Sequence, residues 1–259
     1  MSDYHKGNPP LFSIITVTYN AAQTIGPTLE SVRSQTFDLY EHIIVDGASS
    51  DDTVKIAMKG ATTRQLLFSD PDSGLYDAMN KGLARATGEY VVFLNAGDTF
   101  HSVNTLQQVA DAAFANDFPG VIYGQTDIVG PDRRRLAGRH LVAPEVLTYN
   151  SFREGMVVCH QAFFAMRRLT SNFDLRFRYS ADYEWCLRVL QHSRHNCYID
   201  AVLADYLMEG QTTANRRKSL TERFRIMCYY FGFFPTLINH LKFIPRFLRR
   251  RKLEKSLTK

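Results

Sequence analysis

The sequence lacks several features that would assign it to a class at once. Its four cysteines, Cys159, Cys186, Cys197 and Cys228, form no CxxC pair and no zinc spacing. That argues against a zinc module and leaves buried thiols in a reducing compartment as the expectation. No apolar h-region occurs in the N-terminal MSDYHKGNPP, so no signal peptide is expected. There is no internal repeat and no low-complexity segment. No G-x-G-x-x-G follows the first apolar run, where VTYNAAQTIG stands, and no Walker A motif occurs anywhere. A nucleotide would therefore be held without those phosphate loops, by a metal and by carboxylates. The uncharged stretch Ile226–Asn239 is only 14 residues long and is broken by Gly232 and Pro235, short of the roughly 20 that a spanning helix needs.

Acidic residues are scarce in one place. From Arg216 to Lys259, 13 Lys/Arg face only Glu222 and Glu254, a net +11 within a chain of +5 overall, which leaves the preceding residues at −6. An acidic body with a basic tail suggests an anionic partner for the tail. A nucleic acid is not expected, because the body supplies no basic groove. Residues 220–259 are rich in Tyr, Phe, Lys and Arg and suit an interfacial segment on anionic lipid. The plainer alternative is aromatics packed on the body with a solvated basic end.

The 259 residues, 45% of them hydrophobic, suit one large α/β domain with an appendage. Phe12–Thr18, His42–Asp46, Gln65–Ser69 and Tyr90–Leu94 read as strands. Ala22–Gln35, Asp51–Lys59 and Leu75–Ala86 read as helices between them. The last places Leu75, Ala78, Met79, Gly82, Leu83 and Ala86 on one face, with Gly88 as a C′ glycine. This alternation predicts right-handed βαβ units and a mostly parallel sheet flanked by helices. In such sheets ligands bind beyond the carboxyl ends of the strands. Those ends carry Thr18-Tyr19-Asn20, Asp46, Ser69-Asp70-Pro71-Asp72 and Asn95-Ala96-Gly97-Asp98. Further on, Ser102–Ala115 and Ala181–Gln191 read as helices. Val121–Tyr123, Thr126–Val129, Gln161–Met166 and Cys197–Leu207 read as strands, with a turn at Gly130-Pro131-Asp132.

Each polar residue has two readings. Asp98 is either the cap of a turn or a ligand of Mg²⁺, which commonly takes one or two protein carboxylates and fills its sphere from phosphates and water. Asp46 suits hydrogen bonding to a base or ribose, whereas Asp51 and Asp52 suit helix capping. Asp72 is either a helix cap or a ligand contact, and Lys81 is by default solvent-facing. Asp182, in YSADYEW, is either an ordinary N-terminal helix carboxylate or a general base. His160 is either a core histidine or a substrate contact.

The order of FSIITVTYN, HIIVDGASSDDT and SDPDSGLYDAMNKGLARATGEYVVFLNAGD resembles inverting family 2 glycosyltransferases of the GT-A fold, of the bacterial exopolysaccharide, colanic-acid type. The similarity runs through roughly Phe12–Asn215 and is specific over Phe12–Asp98. CHQAFF, SADYEW and EGQTTAN match more weakly. The resemblance implies a Rossmann-like GT-A catalytic domain over residues 1–215 and a basic, amphipathic extension over 216–259. It implies transfer of a sugar from a nucleoside-diphosphate sugar, UDP before GDP or dTDP, to a saccharide or lipid-linked saccharide. Thr18, Tyr19, Asp46, Asp72, Lys81 and Gly97 would line the donor site, with Mn²⁺ or Mg²⁺ at Asp98 and Asp182 as catalytic base. His160, Gln161 and Thr212 would face the acceptor. Such an enzyme would sit in the cytoplasm, at the inner face of the membrane. Asn95 and Gly97 stand where many relatives carry Asp. Ala181 replaces the glutamate of the ED pair, with Glu184 a weaker substitute, and Glu209 replaces a glycine. These departures keep a catalytically inactive sugar-nucleotide-binding or membrane-scaffold protein as an alternative. A sugar nucleotidyltransferase is weaker still, because the first loop lacks the glycine and arginine content.

Overall fold

A computed structural model describes residues 9–208 and 216–241. The first half alternates as the apolar runs dictate: β1 (Phe12–Thr18), α1 (Ile25–Arg33), β2 (Tyr40–Asp46), α2 (Thr53–Met58), β3 (Gln65–Ser69), α3 (Leu75–Leu83) and β4 (Tyr90–Phe93). Then follow β5 (Thr99–Phe100), α4 (Thr105–Ala115), β6 (Val121–Val129), β7 (Arg135–Gly138) and β8 (Phe163–Met166). α5 (Ala181–His192), β9 (Asn196–Leu207) and α6 (Arg216–Phe231) complete the elements, with a further helix, α7, over residues 233–241.

The strands form one sheet in the order β3-β2-β1-β4-β8-β6-β9-β5, with β7 on β6. β1 pairs in parallel with β2 and β4, β2 with β3, and β6 with β9. β8 lies antiparallel between β4 and β6, so those six strands share one direction, and β5, β7 and β8 oppose them. Their carboxyl ends gather on one side of the sheet.

β1 shows why its run is apolar without interruption. Ile15 and Val17 face a core shared with Val45, Met79, Phe93, Trp185 and Ile226, whereas Phe12 and Ile14 face another with Tyr90, Val92, Leu106 and Val109. Successive strand residues point to opposite faces, and here both faces are covered. Trp185 lies stacked on Phe173 at 5.2 Å and edge-on to Phe93 at 5.5 Å.

Several expectations need correction. In α3 it is Tyr76, not Leu75, that turns inward: Tyr76 is buried and Leu75 is exposed. The helix ends at Leu83 with Ala84 as its C-cap, so Gly88 is not a C′ glycine. Gly88 is instead a close approach, because a Cβ there would sit 2.7 Å from the Ser13 backbone nitrogen. Val121–Tyr123 and Thr126–Val129 are one strand, β6, held continuous by β9, which shifts register around Gln125. The residues His160–Ala162 form a 3₁₀ turn ahead of β8 rather than its first residues.

Candidate active site

The carboxyl ends of β1, β2 and β3 make a first corner. Asp46 closes β2 and is fully buried. Its carboxylate accepts the Ser49 amide at 2.8 Å, the Ser49 hydroxyl at 2.5 Å and the Ser69 hydroxyl at 2.7 Å. A carboxylate has about four acceptor positions, so one remains. Asp72 accepts the Gly74 amide at 2.8 Å. A Cβ on Gly47 would meet the Asp72 Oδ2 at 2.5 Å and the Tyr19 ring at 3.3 Å. Tyr19, Asp46, Gly47 and Asp72 therefore converge, and the glycine is what lets them. The Tyr19 ring is 64% exposed, open to stacking. Thr18 is buried and its hydroxyl has no partner. Lys81 donates to the Pro71 carbonyl at 2.7 Å and lies 3.6 Å from Asp77, so it braces the Asp72 loop.

The second corner follows β4. Asp98 is buried, with Oδ2 accepting from the Gln161 amide at 2.8 Å and Oδ1 from the Leu207 backbone N–H at 3.0 Å. Burial pushes its carboxyl up to about 6, against the pull of those two donors and the charges of His160 and Arg133. Gly97, at φ +107, donates its N–H to Thr28 and accepts from Arg133 at 2.6 Å. The Asn95 Oδ1 and Gln161 Oε1 are both buried without a partner. Orphaned amide oxygens next to a carboxylate are hard donors, the kind Mg²⁺ and Mn²⁺ take. These residues fit a divalent cation. A second group, His101, Asp127 and Asp205, brings ligand atoms within 4.8 Å of one another. Its members already have partners: His101 pairs with Asp205 at 2.7 Å, and Arg135, outside the group, binds Asp127 at 2.5 Å.

The third corner is the start of α5. Asp182 accepts from the Tyr76 hydroxyl at 3.0 Å, the Tyr183 N–H at 2.9 Å and the His160 Nδ1 at 3.2 Å. Burial raises its proton affinity, but the hydrogen bond and charge of His160 and the charge of Arg223 outweigh it. The carboxyl is held below the usual range. The other His160 nitrogen, Nε2, lies 3.3 Å from the Asn95 amide. His160 thus joins the second and third corners. Three of four acceptor positions on Asp182 are filled, so it is ionised, oriented and has one position left. Glu184 is not free for that work: Arg188 binds it through Nε at 2.8 and 2.9 Å, and the Tyr230 hydroxyl also donates to it.

The structure thus gathers Thr18, Tyr19, Asp46, Asp72 and Lys81 in one group, and Gly97, Asp98, His160, Gln161 and Asp182 in a connected second one. Thr212 lies outside the described residues. Sequence reasoning missed Tyr76, Asn95, Arg133 and Arg223 as partners of the carboxylates. Only Tyr76 left a signal, a polar tip on the buried face of α3. A wide cleft of about 760 Å³ lined by Asp117, Arg168, Arg194 and His195 lies at the amino ends of β6 and β9. It contains none of these residues.

Residues 13–171 match the model of a family described as "Glycosyl transferase family 2". The chain is 32% identical to a PGL/p-HBAD biosynthesis glycosyltransferase of Mycobacterium tuberculosis, over 76% of this chain and 77% of that one. It is 27% identical to WfgD of Escherichia coli, over 88% and 87% of the two chains. That protein is named as a UDP-Glc:alpha-D-GlcNAc-diphosphoundecaprenol beta-1,3-glucosyltransferase. Among solved structures, S. aureus TarS 1–349 superposes with a TM-score of 0.69 at 16% identity, covering 90% of this chain and 72% of that one. The mannosyltransferase PcManGT of Pyrobaculum calidifontis, in complex with GDP-Man and Mn²⁺, gives 0.65 at 19% identity, covering 90% and 70%.

Proposed function

The chain belongs to glycosyl transferase family 2, and from that premise we propose that it is an inverting enzyme acting on a lipid-linked saccharide. The donor is a nucleoside-diphosphate sugar, UDP-linked, and the product a unit of a cell-surface polysaccharide. The observation that carries this reading is Asp182. It is a half-buried, ionised carboxylate with three donors and one open acceptor position, at the same sheet end as Asp98.

Inversion needs one base and a stabilised leaving group, with no covalent intermediate. The acceptor hydroxyl gives its proton to the open position on Asp182 as its oxygen attacks the anomeric carbon. Tyr76 and His160 hold the carboxylate in place. Tyr19, Thr18 and Asp46 hold the nucleoside, and Asp72 with Lys81 shapes the wall beside its sugar. His160 and Gln161 face the acceptor. Asp98, Asn95 and Gln161 would hold a divalent cation. When bound, that cation supplies Lewis-acid stabilisation of the departing diphosphate. The donor named for WfgD, the UDP-GlcNAc complex of TarS and the Mn²⁺ in PcManGT support these choices. The acceptor named for WfgD supports a lipid diphosphate carrier. We place the enzyme at the inner face of the cytoplasmic membrane, with residues 1–215 as the catalytic unit and 216–259 as the part nearest lipid. Among the described residues no helix is long and apolar enough to cross a membrane.

The test is turnover of a panel of UDP- and GDP-sugars with lipid-diphosphate saccharide acceptors, with and without EDTA. Release of UDP that needs both acceptor and divalent cation is expected. Donor binding without turnover on any acceptor would favour an inactive binding protein, and full activity in EDTA would remove the cation from Asp98.

A further inference from the structure

α6 is bound to the start of α5 along its length. The Glu222 carboxylate accepts the backbone N–H groups of Arg178 at 2.8 Å and Tyr179 at 2.7 Å. The hydroxyls of Ser219 and Ser180 meet at 3.0 Å, and Arg223 lies over the Tyr183 ring. Ile226, Met227 and Phe231 are buried in the same core as Phe152 and Trp185. α7 then packs back on α6, with Phe233 and His240 edge-on to Phe224 at 6.3 and 5.0 Å.

The exposed side of α7 is inverted in character. Phe233, Phe234, Leu237, Ile238 and Leu241 fall at i, i+1, i+4, i+5 and i+8, one face of a helix, and each is between 38% and 74% exposed. The buried position between them is Thr236. A helix of a globular domain turns its apolar stripe to the core; this one turns it to solvent. Helical spacing places Arg217 and Leu220, seven and four residues before Phe224, on the α6 face that meets α7. Arg217, Lys218 and Arg225 are all exposed. The sequence continues from 242 to 259 with eight Lys/Arg and one Glu.

We infer that this stripe is a docking face for the surface of an anionic lipid bilayer. Its aromatic and aliphatic side chains enter the boundary between headgroups and acyl chains, and Arg217, Lys218 and Arg225 meet lipid phosphates. Charge selects this occupant over a second copy of the chain. A self-complementary interface would bring the same cations together, whereas an anionic surface neutralises them. The inference rests on the reading of Asp182 as base and adds the surface that serves it. α6 is bonded to the residues just before Ser180 and carries Arg223 toward Asp182. Docking α7 therefore holds the base at the bilayer, where a lipid-carried acceptor is found.

The experiment uses the full chain and vesicles of phosphatidylcholine with or without phosphatidylglycerol. The wild type is expected to co-sediment at least about tenfold better with the anionic vesicles. The double variant Phe234→Glu/Ile238→Glu should lose that binding, while keeping its thermal midpoint with UDP and its transfer rate to a water-soluble acceptor. Arg225→Glu, which leaves the stripe intact, should bind the anionic vesicles about fivefold more weakly. Wild-type indifference to phosphatidylglycerol overturns the proposal, as does a double variant that binds normally. A double variant that loses dimers in solution rather than vesicle binding also overturns it, in favour of a second copy. Vesicle binding as expected with no transfer to any acceptor leaves the docking face standing and removes the catalytic reading.

Discussion

Asp98, buried, and Asp182, half-buried, lie at the same end of one sheet, yet their surroundings move their protons in opposite directions. Asp98 meets two neutral donors, Gln161 and the Leu207 N–H, while Arg133 bonds the Gly97 carbonyl, and burial wins. Asp182 is hydrogen-bonded by His160 and feels its charge and that of Arg223, and together these outweigh burial. A buried carboxylate whose donors do not offset burial is incomplete: it is stabilised by a proton or by a metal. One that its hydrogen bonds hold ionised is ready to accept a proton. The two corners are thus suited to different tasks through their neighbours rather than through their own chemistry.

The sharpest break of this comparison is Asp182→Asn. It removes the proposed base but keeps an acceptor for the Tyr76 and Tyr183 donors. The turnover number should fall about 10²–10⁴-fold with donor affinity unchanged, as single-turnover and titration measurements would show. A variant within threefold of wild type would put the base elsewhere.

Next is the pH dependence of stability in metal-free protein. Asp98 has a folded pKa of about 6 against an ordinary 3.8, so between those values the folded state binds more protons. Stability should therefore fall as pH rises through this window, by about 3 kcal/mol in total. Asp98→Asn should shift in its own favour by that amount between pH 4 and pH 7, measured by urea unfolding. Asp182→Asn should show no such shift in the window. The lowered pKa of Asp182 places its contribution at lower pH: present above the unfolded value and lost only as pH falls through the folded one. Saturating Mn²⁺ with UDP should flatten the Asp98 slope.

Tyr76→Phe sharpens the comparison from one side. It deletes one hydrogen bond to the ionised Asp182, worth about 1.5 kcal/mol, and should cost roughly tenfold in turnover while leaving metal affinity alone. The smallest effect belongs to Gly47→Ala. Its Cβ meets the tip of Asp72, which can turn aside, so about 1 kcal/mol is lost and the donor KM should rise about fivefold with turnover unchanged.

The parallel half of the fold was legible because β1, β2 and β4 are near-continuous buried runs and the edge strand β3 keeps an apolar centre between turn residues. β1 and β3 have the expected bounds to the residue. The two-residue β5 and the exposed β7, RLAG, carry no such pattern. In β6 the Gly124-Gln125 pair interrupts the apolar run, and only the partner strand β9 shows the strand to be continuous. For the candidate site, the carboxylates at strand ends could be read from position alone. What surrounds them could not. His160 between Asn95 and Asp182, and Gln161 against Asp98, are meetings of residues more than sixty positions apart in two cases and twenty-two in the third. No local periodicity records such contacts. Arg223 was invisible for the same reason, being one cation among many in a basic segment.

The bond from Tyr76 to Asp182 spans 106 residues, and that from the Leu207 N–H to Asp98 spans 109. Loops of that length are entropically expensive to close and close late. A chain in which only the β1–β4 half has formed already carries the Tyr19–Asp46–Asp72 corner. It has neither an oriented base nor a fully bonded Asp98. Sugar transfer then reports that the whole chain has finished folding, while contact with the nucleoside end of the donor reports only that the β1–β4 segment has.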